Sequence, residues 1–329
     1  MRNRLILAVL LLALMGWPAA TTAQDAEWTC DDGPNDALNA AQDAYDAGDL
    51  PTALELATEA EALCAMNIVR YQKALSLKSK VEIDLERQEI DAMLDAATPG
   101  MVDLGAYHLF MTCEGEGSPV VIFEHGLDGG IAAWDKVQPA VAKFTRACSY
   151  DRLGVGFSGD LPNNTVRTSQ DHVDDLVALL QLAEIPGPYV LVGHSIAGFS
   201  LLLMADQYPD MVAGLVMVDV SHPNQVNVYN VNTGPMGQER VDFHASAAQA
   251  AEVGALGDLP LVVLTAGNDS RNADPEAWME LQIDLALRST NSQHLVAVTS
   301  GHEIMNSEPE MVISATEWVV EQVRAQMEE

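Results

Sequence analysis

Apolar positions recur at two different periods along this chain, and the change falls near residue 98. Before it, from Leu50 through Ala53, Leu54, Ala57, Ala60 and Cys64, small and apolar residues return at three- and four-residue steps and share one helical face. Ala47-Gly48-Asp49-Leu50-Pro51 reads as the turn before that helix, with Ala40 to Tyr45 in the helix that precedes it. A charge-rich helix follows from about Ile68 to Leu94, and Thr98-Pro99-Gly100 breaks it.

After the break, short apolar runs take over. Val102 to Thr112 alternates as a hairpin would, and Val120 to Glu124, Ala147 to Tyr150, Tyr189 to Val192, Leu215 to Val218, Leu261 to Thr265 and Leu295 to Thr299 read as buried strands. Amphipathic stretches lie between most of them: a helix around Ala132 to Phe144, another over Asp171 to Leu182, and a last one from Pro309 to about Met327. This alternation predicts an α/β fold, a mostly parallel central sheet with helices on both faces, joined to a small N-terminal all-helical region. The expected organisation is a leader over 1–23, a helical extension over 24–97 and a main domain over 98–329, with a small cap at about 221–258.

The leader is read from Met1-Arg2-Asn3-Arg4, an apolar run over Leu5 to Leu14 too brief to span a bilayer, and Thr21-Thr22-Ala23 before the expected cut. No lipobox precedes Cys30. The expected location is therefore secreted or periplasmic, with no stable membrane span after the leader is lost. Four cysteines suit such a compartment. Cys30 and Cys64 fall in the helical region, Cys113 and Cys148 in the main domain, and pairing within each region is the simplest scheme.

Composition narrows the partners. With 48 acidic against 16 basic residues, a formal charge of −32, the surface should repel nucleic acid and anionic lipid. The acidity by itself names no substrate. No Walker loop, Cys-x-x-Cys pair or dinucleotide fingerprint occurs. His302-Glu303-Ile304-Met305-Asn306 begins as a zinc-protease motif would, but Asn306 stands where the second histidine is needed. No metal or organic cofactor is implied. Asn163-Asn164-Thr165 and Asn268-Asp269-Ser270 are formal glycosylation sequons.

The chemistry centres on Tyr189-Val190-Leu191-Val192-Gly193-His194-Ser195-Ile196-Ala197-Gly198. A buried strand meets a turn of small residues, an apolar helix follows, and Ser195 sits at the apex, where the opening amides of the helix favour an oxyanion. Gly-x-Ser-x-Ala-Gly resembles the nucleophile elbow of the α/β-hydrolase superfamily, with Ala197 in place of the usual second glycine. The resemblance broadens with His125-Gly126, Tyr150-Asp151-Arg152-x-Gly154-x-Gly156-x-Ser158, and Gly301-His302 with Pro309 downstream, in that order over about residues 100–329.

The resemblance implies an acyl-transfer site in which Ser195 is the nucleophile and His302, directly after the last strand, is the base. His294 is expected before that strand, at the opposite edge. His194 should point away from the nucleophile, His222 and His244 fall in the cap, and His108 and His172 carry no motif. Two aspartates compete to orient the base. Asp269 follows the later strand, where most of the family keeps the acid; Asp219 closes Leu215 to Val218, an arrangement that resembles certain haloalkane dehalogenases and would fix it better. Asp219 is preferred, with Asp269 as the alternative. Asp151 is assigned to a structural turn with Arg152. Backbone N–H groups of Ile196 and Leu127 are the expected oxyanion donors, and family topology sets the strand of Cys113 beside that of Cys148, supporting a disulfide there.

The expected activity is hydrolysis of small or medium carboxylic esters, the partner being the small-molecule ester. Aminopeptidase, lactonase and carbon–carbon bond hydrolase activities are the alternatives within the fold. The helical extension resembles one tetratricopeptide-style hairpin. Two readings stand for it, a helical prefix or a module for a protein partner. Residues 221–258 likewise read as a cap over the pocket or as a surface excursion.

Overall fold

The computed structural model describes residues 29–30, 36–64, 67–97, 100–162, 165–229, 231, 233–269 and 274–328. The leader expected over 1–23 lies outside the described residues, as do Asn163 and Asn164 of one sequon and Ser270 of the other. The chain divides into two compact units, Met1–Ala96 and Ala97–Glu329.

The first unit is built from α1 (Ala37–Asp46), α2 (Leu50–Leu63) and α3 (Ile68–Ala97). Asp36 caps α1 by accepting the Leu38 N–H at 3.0 Å, and Asp49 caps α2 by accepting from Thr52. Alanines make the close contact between α1 and α2: Ala37, Ala41, Ala53, Ala57 and Ala60 are fully buried. Ala74, Leu77 and Val81 bring α3 into the same core, so the hairpin is closed by a third helix. Cys30 and Cys64 form the disulfide that pins the entry segment to the end of α2.

The second unit is an eight-stranded sheet of β1 (Met101–Asp103), β2 (His108–Glu114), β3 (Val120–Glu124), β4 (Ala147–Asp151), β5 (Tyr189–His194), β6 (Val212–Val218), β7 (Leu261–Ala266) and β8 (Ser292–Ala297), in the order β1-β2-β4-β3-β5-β6-β7-β8. The β1–β2 and β2–β4 pairs are antiparallel and all others parallel. Cys113 and Cys148 lie opposite each other across β2 and β4 and are bridged. Successive residues of the central strands serve opposite cores. Tyr189 and Leu191 of β5 enter the one shared with α5 (Ser169–Leu182) and α6 (Ala197–Gln207); Val190 and Val192 enter the one shared with α11 (Pro309–Glu328).

Three elements depart from the pattern. The helix expected over Ala132 to Phe144 is broken into a 3-10 turn, Ile131–Trp134, and a short α4, Gln138–Val141. Pro139 is the cause: it has no N–H to donate to the Asp135 carbonyl, so it opens a new helix instead. Helix α5 starts before Asp171, because the Thr168–Asp171 capping box closes its first turn. Strand β8 runs Ser292–Ala297 rather than Leu295 to Thr299. As an edge strand it tolerates the half-buried Ser292, Gln293 and His294. His294 thus stands inside the strand, bonded to Thr265 Oγ1 of β7 at 2.7 Å.

Between β6 and β7 the chain forms α7 (Gln225–Val228) and α8 (Phe243–Ala251). Phe243 packs edge-on against Phe199 of α6 at 5.1 Å, anchoring this insertion to the core. Helices α9 (Pro275–Ala286) and α10 (Ile304–Ser307) complete the unit.

Candidate active site

Ser195 occupies the bend between β5 and α6 with φ +56°, a left-handed conformation that a non-glycine residue adopts only where its surroundings impose it. The bend is tight because helix and strand touch. A Cβ on Gly193 would meet Leu201 Cδ1 at 2.7 Å, and one on Gly198 would meet Val220 Cβ at 2.6 Å. Ala197, fully buried, fits without either penalty. The Ser195 carbonyl accepts from Gly198 and Ser221, which fixes the bend from both sides.

Asp219 directly follows β6, also left-handed at φ +45°, with its side chain 1% exposed. Its N–H donates to the Leu264 carbonyl of β7 at 2.7 Å. Oδ1 accepts from the Ala266 N–H at 3.0 Å and from Trp278 Nε1 at 2.9 Å; Oδ2 lies 2.7 Å from His302 Nδ1. His302, in the loop after β8, is thereby tied to the end of β6. Asp269 is close as well: one carboxylate oxygen from each aspartate and a ring nitrogen of His302 lie within 4.8 Å of one another. Three donors, His302 Nδ1 among them, already converge on Asp219, so this cluster reads as a hydrogen-bonded network.

His194 does not simply point away. Its Nε2 contacts the His302 carbonyl at 3.0 Å and its ring packs on the His302 ring at 4.4 Å, supporting the loop that carries His302. His222, fully buried, bonds Asp284 Oδ2 through Nε2 at 2.9 Å while Nδ1 accepts from Asn224; burial lowers its pKa despite that carboxylate. His244 contacts the Val231 carbonyl at 3.2 Å. His172 is buried, and burial holds its pKa well down.

The backbone N–H groups of Leu127 and Ile196 have no protein acceptor among the described residues. Leu127 lies in the loop after β3, which closely approaches the serine: a Cβ on Gly126 would come within 3.2 Å of Ser195 Cβ. Ser195 and His302 both border two hollows. One, about 330 Å³, is walled also by Tyr229, Met236, Phe243 and Trp278; the other, about 430 Å³, by Gly126, Leu127, Ala132 and Met305. The insertion is therefore a wall of the site.

Beneath the loop lies a buried ionic cluster. Asp151 behaves as a turn residue, accepting from Ile131 and Phe157. Arg152 makes far more contacts: Nε and Nη2 fork onto Glu239 at 2.6 and 3.0 Å, Nη1 reaches Glu124 at 3.3 Å and the His125 carbonyl at 2.6 Å, and Nη2 reaches the Gly126 carbonyl at 2.9 Å. One guanidinium cannot neutralise two carboxylates, and burial pushes Glu124 up to about 7. Burial opposes the charge on Arg152 too, but the Glu239 and Glu124 carboxylates together outweigh it and the pKa rises. Burial and Arg152 hold His125 neutral. Nδ1 of that imidazole must donate to the Gly126 carbonyl, 2.6 Å away, because Nε2 accepts the Arg152 N–H. Glu124, Glu239 and Trp278 lay outside the sequence reading; only the charges in apolar surroundings at Glu124 hinted at any of them.

A family model described as alpha/beta hydrolase fold matches residues 119–260. Over these residues the chain carries the α/β-hydrolase fold. A thermophilic esterase from Thermogutta terrifontis superposes with a TM-score of 0.51 at 21% identity, covering 68% of this chain and 97% of that one. A 2-(acetamidomethylene)succinate hydrolase of Mesorhizobium japonicum is 31% identical over 119 residues, 36% of this chain and 41% of its own length. An sn-1-specific diacylglycerol lipase of Mus musculus is 33% identical over 105 residues, 31% of this chain and 33% of its own. The chain thus spans less than half the length of these two curated relatives.

Proposed function

We propose that this protein is an exported serine hydrolase that cleaves small or medium carboxylic esters through an acyl-enzyme. The supporting observation is the 2.7 Å bond from His302 Nδ1 to the buried Asp219, beside a left-handed Ser195 that borders the same cavity. With Nδ1 donating to Asp219, Nε2 of His302 is the lone-pair nitrogen and can take the Ser195 hydroxyl proton as Oγ attacks the ester carbonyl. Negative charge developing on the carbonyl oxygen is met by the N–H groups of Leu127 and Ile196. His302 returns the proton to the departing alcohol, then activates water to release the acid.

In this reading Asp219 is the orienting acid and Asp269 a polar wall residue. The hollow of about 330 Å³, with its aromatic wall, takes one side of the ester, and the hollow under Leu127 takes the other. The leader over 1–23 is removed on export; the two disulfides support an oxidising compartment. Among the described residues no helix is long and apolar enough to cross a membrane. In this reading the extension over 24–97 is a helical prefix to the catalytic domain at 98–329, and its helices α1, α2 and α3 share a small core of their own.

The test is a chain-length series of p-nitrophenyl esters, run beside aminoacyl anilides, with Ser195→Ala as control. Turnover of the shorter esters, abolished by Ser195→Ala, is expected. Peptide cleavage without turnover of any ester would overturn the reading.

A further inference from the structure

The Gly126–Leu127 peptide carries the proposed second oxyanion donor, and the surrounding contacts constrain its plane. In a trans peptide the carbonyl and the following N–H point in opposite directions. Whatever holds the Gly126 carbonyl therefore aims the Leu127 N–H. Three donors converge on that one oxygen: Arg152 Nη2 at 2.9 Å, His125 Nδ1 at 2.6 Å and the Gly129 N–H at 3.2 Å. Arg152 Nη1 holds the preceding carbonyl, of His125, at 2.6 Å.

Arg152 is in turn held by a residue from the insertion. Glu239, fully buried, takes the fork of Nε and Nη2. The same Glu239 Oε2 accepts the Asp128 N–H at 2.6 Å, on the far side of Leu127. Asp128, left-handed at φ +56°, returns the contact: its carboxylate accepts the N–H groups of Gln238 and Glu239 at 2.9 and 3.1 Å. The insertion thus grips the loop on both sides of the Leu127 N–H, once through Arg152 and once through Asp128.

We propose that Glu239 and Arg152 are positioning residues that couple the insertion between β6 and β7 to the oxyanion hole, so that the Leu127 N–H faces the reacting carbonyl only when the 237–240 turn is docked. This rests on the reading of Ser195 as an acyl-transfer nucleophile. The coupling acts on the transition state, because an ester carbonyl needs the donor less than the oxyanion does. Loosening the grip lowers kcat and leaves KM nearly as it was.

Glu239→Gln tests this with little change in shape, and Asp128→Asn tests the second grip from outside the ion cluster. Each is measured for kcat and KM on a p-nitrophenyl ester, for affinity of an alkyl boronic acid that forms a tetrahedral adduct on the serine, and for Tm. The expected result for Glu239→Gln is a kcat lower by about 10- to 100-fold, KM within about threefold, and boronic acid affinity weakened in parallel with kcat. Asp128→Asn should follow in the same direction with a smaller loss. A fall in Tm with kcat and boronic acid affinity unchanged in both variants would overturn the coupling, leaving the cluster a structural one. Should Glu239→Gln fail to fold, Asp128→Asn decides by the same comparison. Wild-type protein that neither turns over esters nor binds the boronic acid would overturn the reading of Ser195, and with it this proposal.

Discussion

Asp219 and Asp269 differ in what holds them, and that difference sets the cost of removing each. Asp219 receives N–H groups from Ala266 and Trp278 on one oxygen and faces His302 Nδ1 with the other. Asp219→Asn keeps the volume but offers an amide where the imidazole must donate, which favours the wrong tautomer. A loss of about 10³- to 10⁴-fold in kcat is expected, against less than about tenfold for Asp269→Asn. Steady-state rates on one ester decide it; a large loss confined to Asp269→Asn would move the acid role there. The fixed placement of Asp219 was legible because a residue abutting a strand is held by that strand. Trp278 was not, since it reaches Asp219 only through the fold, across 59 positions of sequence. Glu124 gives a second prediction at this scale. With its pKa raised to about 7 from 4.5, the folded protein keeps a proton that the unfolded chain has released between those pH values. Stability should therefore fall as pH rises from about 4.5 to 7 and level off above, by on the order of 3 kcal/mol from this group. Tm measured against pH should lose that slope in Glu124→Gln; an unaltered slope would assign it to other groups.

Elements were legible where one period ran unbroken and became obscure where polar residues or proline interrupted it. Strands β3, β5 and β7 are buried from end to end and matched their apolar runs. Strand β8 began earlier than its apolar run because pairing with β7, not hydrophobicity, sets where an edge strand starts. The insertion carried no periodic signal strong enough to say whether it covered the pocket, and its ring contacts come only from the fold. Phe243 faces Phe199 in the core, while Tyr229 packs on Trp278 at 6.2 Å along the cavity wall. These positions have different consequences. Phe243→Ala would open the core and destabilise by about 3 to 5 kcal/mol. Tyr229→Ala, only partly buried, should leave Tm within a few degrees and enlarge the hollow beside Ser195. The preferred acyl chain should then lengthen by two or more carbons in the p-nitrophenyl series. An unchanged optimum would place the acyl chain in the hollow under Leu127 instead.

Across the whole molecule, charge links the surface to the site. The chain carries −32, and the cavity beside Ser195 adds the Asp219 and Asp269 carboxylates to its wall without a lysine or arginine among its lining residues. An ester bearing its own carboxylate must approach against both fields. Neutral p-nitrophenyl butyrate and the anionic p-nitrophenyl hemiglutarate are near in size, so their kcat/KM ratio isolates the charge. At about 0.01 M salt the screening length is about 30 Å and the whole surface is felt; at about 1 M it is about 3 Å, and only the cavity wall remains. The neutral ester should be preferred at both, with the preference shrinking about 3- to 10-fold on adding salt and the change carried by KM. A further gain of the anionic ester in Asp269→Asn at high salt would mark the residual, local part. A ratio indifferent to salt would show that the acidity serves the surface alone and plays no part in choosing the substrate.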